Sequence, residues 1–270
     1  MIAIDQEDWS SLKRRLELPG GRQFAYVDRG EGQVLLLLHG YSDSSRSFSL
    51  VAPHLVGYRL IIPDLAGHGA SQAGPGATVA DFSRDLACLA DRLALRDIVV
   101  IGHSMGAMTA IALAALRPDL IRALVLLSGS LQPGLGQDNP TARAIRALKD
   151  PLDQEHPFFD VWHACNQPVD PAFLAHMRKE AAEIPTQTWL AILDGLAATD
   201  LRASARQLRL PVLAIGGSED PLFDAGHRRL LAETIGSARS INLAGHGHNP
   251  HWESPALVAG EILSFLAAEL

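Results

Sequence analysis

Apolar residues along the chain fall into two alternating patterns. Short runs rich in Val, Ile and Leu are followed by longer stretches in which apolar residues recur at helical spacing. Residues 13–18 and 22–28 alternate in polarity on either side of Pro19-Gly20-Gly21, which predicts a hairpin. The run 34–38 is continuously apolar, as expected of a strand covered on both faces. Segments 59–63, 98–101 and 123–127 read the same way, and 212–215 with 240–243 bring the predicted strands to eight. Helices are expected between them. One starts at Thr78, with Asp81 three residues on as a variant capping box and Val79, Phe82, Leu86, Leu89 and Leu93 on one face. Others are expected over 105–116, which is rich in small residues, over 222–235 and over 255–270. This alternation predicts an α/β fold, a mostly parallel sheet with helices on both faces.

The alternation breaks once. Residues 131–205 contain no convincing strand, and helical stretches are expected around 141–148, 156–165, 170–183 and 186–197. Strand-like patterning resumes at Leu210. At about 75 residues the segment is too long for a plain loop. The predicted organisation is a core of residues 1–130 and 206–270, interrupted after the sixth strand by a helical insertion, 131–205, that covers a pocket.

Composition narrows the function classes. The 270 residues carry 23 Lys and Arg against 30 Asp and Glu, a net charge of −7, which argues against a dedicated nucleic-acid surface. With 47% hydrophobic and 20% charged residues the chain can bury a sizeable core. The two cysteines, Cys88 and Cys165, cannot form a disulfide scaffold and read as reduced thiols. No apolar run approaches the ~20 residues of a membrane span. The opening residues 1–8 lack the basic, apolar and small-residue regions of a leader. A cytoplasmic protein is expected, with no nucleic-acid or membrane partner; its oligomeric state is not encoded in any pattern.

The strongest chemical signal is Gly102-His103-Ser104-Met105-Gly106, which follows a predicted buried strand and opens a predicted helix. G-x-S-x-G in that context is a nucleophile elbow: a sharp turn exposes the serine, and the flanking glycines let the backbone pass close to its neighbours. The helix N-terminus behind Ser104 favours developing negative charge. A serine hydroxyl needs a base, and the base an orienting acid. Among 11 histidines, His246, His248 and His251 follow the last predicted strand, on the same sheet edge as the elbow. Asp220, in a loop leaving the 212–215 strand, is the favoured acid, with Glu219 and Asp224 as alternatives. The order Ser, Asp, His suits this arrangement. The three closely spaced histidines could suggest a metal site, but no carboxylate or cysteine beside them completes a set, and no metal or other cofactor is expected. His39, His103 and Asp64 read as residues that tie loops.

The chain resembles the α/β-hydrolase superfamily over essentially its whole length. The resemblance rests on His39-Gly40-Tyr41, on Asp64-Leu65-Ala66-Gly67-His68-Gly69-Ala70-Ser71, on the Gly102–Gly106 elbow, and on His248-Asn249-Pro250-His251-Trp252-Glu253-Ser254-Pro255. The last segment looks like the family's H-x-P-x-x-E-x-P and implies that His248, rather than His246 or His251, is the base. The resemblance further implies that backbone N–H groups of Tyr41 and Met105 form an oxyanion hole and that the insertion is a cap. Trp162, Trp189 and Phe158, in the insertion, are candidates for the pocket wall. The expected activity is hydrolysis of a carboxylic ester or lactone of a small, largely apolar substrate through an acyl-enzyme on Ser104. Carbon–carbon bond hydrolysis, cofactor-free perhydrolysis, or slow-turnover ligand reception are the alternatives that the same equipment allows.

Overall fold

The computed structural model describes residues 5–269. Residues 1–4, part of the segment read for a leader, and Leu270, the expected end of the last helix, lie outside them. Eight strands form one sheet in the order β1-β2-β4-β3-β5-β6-β7-β8. They are β1 (Lys13–Leu18), β2 (Arg22–Arg29), β3 (Gln33–Leu38), β4 (Tyr58–Pro63), β5 (Ile98–His103), β6 (Ile121–Leu127), β7 (Val212–Gly217) and β8 (Ala238–Leu243). Among the described residues only the pairings β1–β2 and β2–β4 are antiparallel; from β4 across to β8 every pairing is parallel. The sheet is therefore the mostly parallel, eight-stranded one that the sequence pattern predicts.

Strand period fixes which residues meet which layer. Leu36, Leu38 and Val100 pack with α1 (Val79–Arg92) and α2 (Met105–Leu116) on one face. Leu35, Leu37, Val99 and Ile101 point the other way, into a cluster with Val258, Ile262 and Phe265 of α10 (Pro255–Glu269). The capping box of α1 forms as expected: the Asp81 N–H donates to Thr78 Oγ1 at 3.2 Å, and the Thr78 N–H to Asp81 Oδ2 at 3.1 Å. Among the described residues no helix is long and apolar enough to cross a membrane.

Between β6 and β7 the chain builds helices α3 (Pro140–Arg146), α4 (Phe158–Trp162), α5 (Pro171–Ala182), α6 (Thr186–Ala197) and α7 (Arg202–Gln207). Two differ from expectation. The 156–165 stretch is helical only over α4, and α7 reaches past residue 205. Further on, α8 (Ala225–Ile235) begins three residues later than the apolar pattern suggests. The Leu222 and Phe223 N–H groups donate to Asp220 Oδ1, at 2.9 and 3.0 Å, so the chain there folds around a carboxylate before Asp224 caps the helix. Beyond α8 and β8 the chain passes through α9 (Pro250–Glu253) into α10.

Candidate active site

The parallel strands deliver their C-terminal ends to one edge of the sheet, and there the reactive residues collect. Ser104 follows β5 with φ 52° and ψ −114°, a conformation costly for a residue with a side chain. The glycines on either side make the turn possible. A Cβ on Gly102 would sit 2.3 Å from Gly106 O, and one on Gly106 2.1 Å from Leu38 O and 2.6 Å from His39 O. The N-terminus of α2 thus lies against the exit of β3, which brings the Gly40–Tyr41 turn beside Ser104. Met105 opens α2, so its N–H has no intrahelical acceptor.

The loop after β8 brings the imidazole. His248 Nε2 is 3.0 Å from Ser104 Oγ, and its Nδ1 is 2.9 and 3.0 Å from the Asp220 carboxylate oxygens. This pairing fixes the tautomer: Nδ1–H donates to Asp220, leaving Nε2 to accept from the serine hydroxyl. Burial pushes the Asp220 carboxyl up, but the His248 imidazole and the Phe223 and Leu222 N–H groups more than offset this, and it sits below the ordinary carboxylate range. The loop is held by its surroundings. Glu253 accepts from the Gly247 N–H with both oxygens, at 3.1 and 3.0 Å, and from the Asn166 N–H at 3.2 Å. A Cβ on Gly217 would lie 2.1 Å from His246 O and 2.2 Å from Gly247 O, so β7 and the histidine loop approach as only glycine permits.

The profile of the alpha/beta hydrolase fold family matches residues 33–255. The chain belongs to that family. It is 30% identical over 244 residues to 2-succinyl-6-hydroxy-2,4-cyclohexadiene-1-carboxylate synthase of Salmonella agona (strain SL483), covering 86% of this chain and 93% of that protein. Among solved structures it resembles a hydrolase from Pseudomonas aeruginosa PA01, with TM-score 0.80 and 25% identity over 94% of this chain and 98% of that one. It also resembles a thermophilic esterase from Thermogutta terrifontis, with TM-score 0.77 and 26% identity over 95% of this chain and 98% of that one.

In this alpha/beta hydrolase the other sequence candidates fall elsewhere. His246 meets Ala244 O and Ser254 Oγ, at 2.9 and 2.7 Å, and His251 Nε2 lies 3.0 Å from Ser47 Oγ. The three clustered histidines thus face three different partners. Glu219 accepts from Ser218 Oγ, and Asp224 caps α8. His39 donates from Nδ1 to Gly40 O and accepts the Leu65 N–H at Nε2, at 2.7 and 2.9 Å. Asp64 gathers the Lys13 ammonium and the Ser45 and Ala70 N–H groups, each at 2.8 Å. Both therefore tie loops together. Cys88 and Cys165 are free.

A cavity opens onto Ser104 and His248. Of the aromatic residues expected on its wall, only Trp162 lines it; Trp189 and Phe158 do not. They form the layer behind, with ring centroids 5.6 and 5.4 Å from that of Trp162. Helical spacing shows that a residue is buried but not whether it faces a cavity or a core. Trp162 Nε1 donates to Ser42 Oγ at 2.8 Å, and Tyr41 Oη to Trp189 O, so the helical segment is pinned to the turn beside the nucleophile. Sequence reasoning missed Asp43 and His163, which also line the cavity. Neither stands in a pattern that marks it, because the wall is assembled from elements distant in the chain.

Proposed function

We propose that this protein is a serine hydrolase that cleaves a carboxylic ester or lactone of a small, largely apolar substrate. The observation that carries the reading is the unbroken chain of contacts from Ser104 Oγ through both nitrogens of His248 to Asp220. Ser104 attacks the carbonyl carbon while His248 Nε2 takes its proton. The N–H groups of Tyr41 and Met105 stabilise the oxyanion; one such donor is worth ~2.7–4 kcal/mol in other enzymes. As the tetrahedral intermediate collapses, His248 returns the proton to the leaving alkoxide. Water, deprotonated by the same imidazole, then releases the acyl group. Asp220 keeps the imidazole in its working tautomer and stabilises its cation. Residues 131–205 act as a cap whose Trp162 forms part of the pocket.

A synthase of the kind named for the Salmonella agona relative handles a compound bearing carboxylate and succinyl groups, which calls for cationic side chains. The residues lining this cavity include no Lys or Arg, and Asp43 adds a carboxylate of its own. That favours a neutral ester over an anionic substrate. The test is a panel of neutral and anionic esters assayed together with a fluorophosphonate probe. Turnover of neutral esters and labelling of Ser104 support the reading. Labelling without turnover of any ester would point instead to a slow ligand receptor.

A further inference from the structure

Beside Ser104 the cavity wall holds polar groups that the proposed mechanism does not use. His163, just past α4, is 3% exposed, and among the described residues neither of its ring nitrogens has a hydrogen-bond partner. Its ring is stacked on Phe159, with centroids 5.5 Å apart and planes 9° apart, and lies against Trp252, 5.9 Å away. Asp43, 4% exposed, has an ion-pair contact only with His103 among the described residues. Asp43 Oδ2 accepts from Ser47 Oγ at 3.2 Å and lies 3.8 Å from His103 Nδ1. His103 Nε2 faces the carbonyl oxygen of His248 at 3.0 Å, so Nε2 carries the proton and Nδ1 presents a lone pair. Among the described residues His103 Nδ1 is likewise buried without a hydrogen-bond partner.

A buried nitrogen left unpaired bears the full cost of its lost hydration. A fold that accepts this in the wall of a reactive cavity is prepared for a partner that arrives with the ligand. The cluster defines that partner. Asp43 Oδ2 and His103 Nδ1 are two acceptors 3.8 Å apart, not hydrogen-bonded to each other, and burial keeps His163 neutral, with its pKa lowered to about 4, so it offers one donor and one acceptor. A carboxylate would be repelled by Asp43. An ammonium would leave the His163 N–H without an acceptor. A hydroxyl both gives and takes a hydrogen bond.

We infer that Asp43 and His163 form a polar subsite that binds a hydroxyl group of the substrate, so that the preferred substrates are hydroxy-substituted esters or lactones. This rests on the serine hydrolase reading, and the test separates the two. Matched pairs are assayed by pH-stat: methyl butanoate against methyl 3-hydroxybutanoate, and ethyl butanoate against 2-hydroxyethyl butanoate. In the wild type, at least one hydroxylated member is expected to have the higher kcat/KM, by tenfold or more. That ratio should fall to near one in His163→Phe and Asp43→Asn, and His163→Gln, which keeps a donor and an acceptor, should restore part of it. A general loss of folding or activity lowers both members of a pair alike, so the ratio reports the subsite; if one variant fails to fold, the other carries the comparison. Equal turnover within every pair, or a preference that survives in the variants, overturns the subsite and leaves the hydrolase reading standing. No turnover of any ester and no fluorophosphonate labelling of Ser104 overturns both.

Discussion

Two buried polar clusters share the wall of one cavity, and they are built in opposite ways. In the first, every reactive atom is matched within the protein: the Ser104 hydroxyl to His248, His248 to Asp220, and Asp220 to two backbone N–H groups besides. In the second, Asp43, His103 and His163 line the same cavity, with His103 Nδ1 and both His163 nitrogens unpaired among the described residues. The contrast separates two tasks. A proton relay has to be connected before substrate arrives, because its geometry is what activates the nucleophile. A recognition site gains specificity from bonds that only the right ligand completes.

The largest expected effects come from disconnecting the first cluster. Ser104→Ala should lower kcat/KM on a hydrolysed ester by on the order of 10⁴–10⁶ and abolish fluorophosphonate labelling. Asp220→Asn preserves shape but offers an amide where the imidazole needs an acceptor, and should cost about 10⁴ in kcat. Near-normal turnover in either variant would remove the first half of the comparison. A gentler perturbation sharpens it. A Cβ on Gly217 would lie 2.1 Å from His246 O, so Gly217→Ala should push the His248 loop aside. A displacement near 1 Å is worth about 10² in rate. Steady-state kinetics should show that loss in kcat while the ratio between hydroxylated and unsubstituted esters holds, because Gly217 lies at the exit of β7 and does not line the cavity.

The same division explains what could be read from the residue order. The first cluster hangs on strand exits, and a strand buried on both faces announces itself as an apolar run, so pattern marks Ser104 and the two loops that carry the acid and the base, while the choice of His248 over His246 and His251 came from the resemblance to H-x-P-x-x-E-x-P. Glu253 belongs to the H-x-P-x-x-E-x-P segment, and its place under the Gly247 N–H accounts for that spacing. In the second cluster His103 ends β5, but Asp43 hangs on a turn after β3 and His163 on the end of a helix only five residues long, α4. Where α4 lies over the sheet depends on contacts such as Trp162 Nε1 to Ser42 Oγ, which join residues 120 positions apart. No local periodicity encodes such a contact. Trp189 and Phe158 were expected on the cavity wall for the same reason that they stand behind it: apolar helical spacing reports burial and not direction.

The smallest expected effect is on stability, and it tests whether His163 is unpaired in the folded protein. Burial lowers its pKa from the usual 6.5 to about 4. A histidine depressed in this way binds its proton more readily in the unfolded chain. Below pH ~6.5 the unfolded state therefore takes up protons that the folded state refuses, and stability falls as pH falls, until the folded group itself protonates near 4. By pH 5 the His163 share of that loss comes to about 2 kcal/mol. The lowered carboxyl of Asp220 acts in the same sense, but in the carboxylate range below this window. His68, also buried and lowered to about 3, adds a similar slope that its own substitution would remove. Urea unfolding of wild type and His163→Phe at pH 7 and pH 5 isolates the His163 share. At pH 7 the variant should unfold at a similar or higher urea concentration, since phenylalanine loses no hydrogen bond and keeps the stacking on Phe159. Between pH 7 and pH 5 it should lose about 2 kcal/mol less than wild type. A variant clearly weaker at pH 7, with an unchanged acid slope, would mean that the imidazole is hydrogen-bonded in the folded protein, and the two clusters would then be built alike.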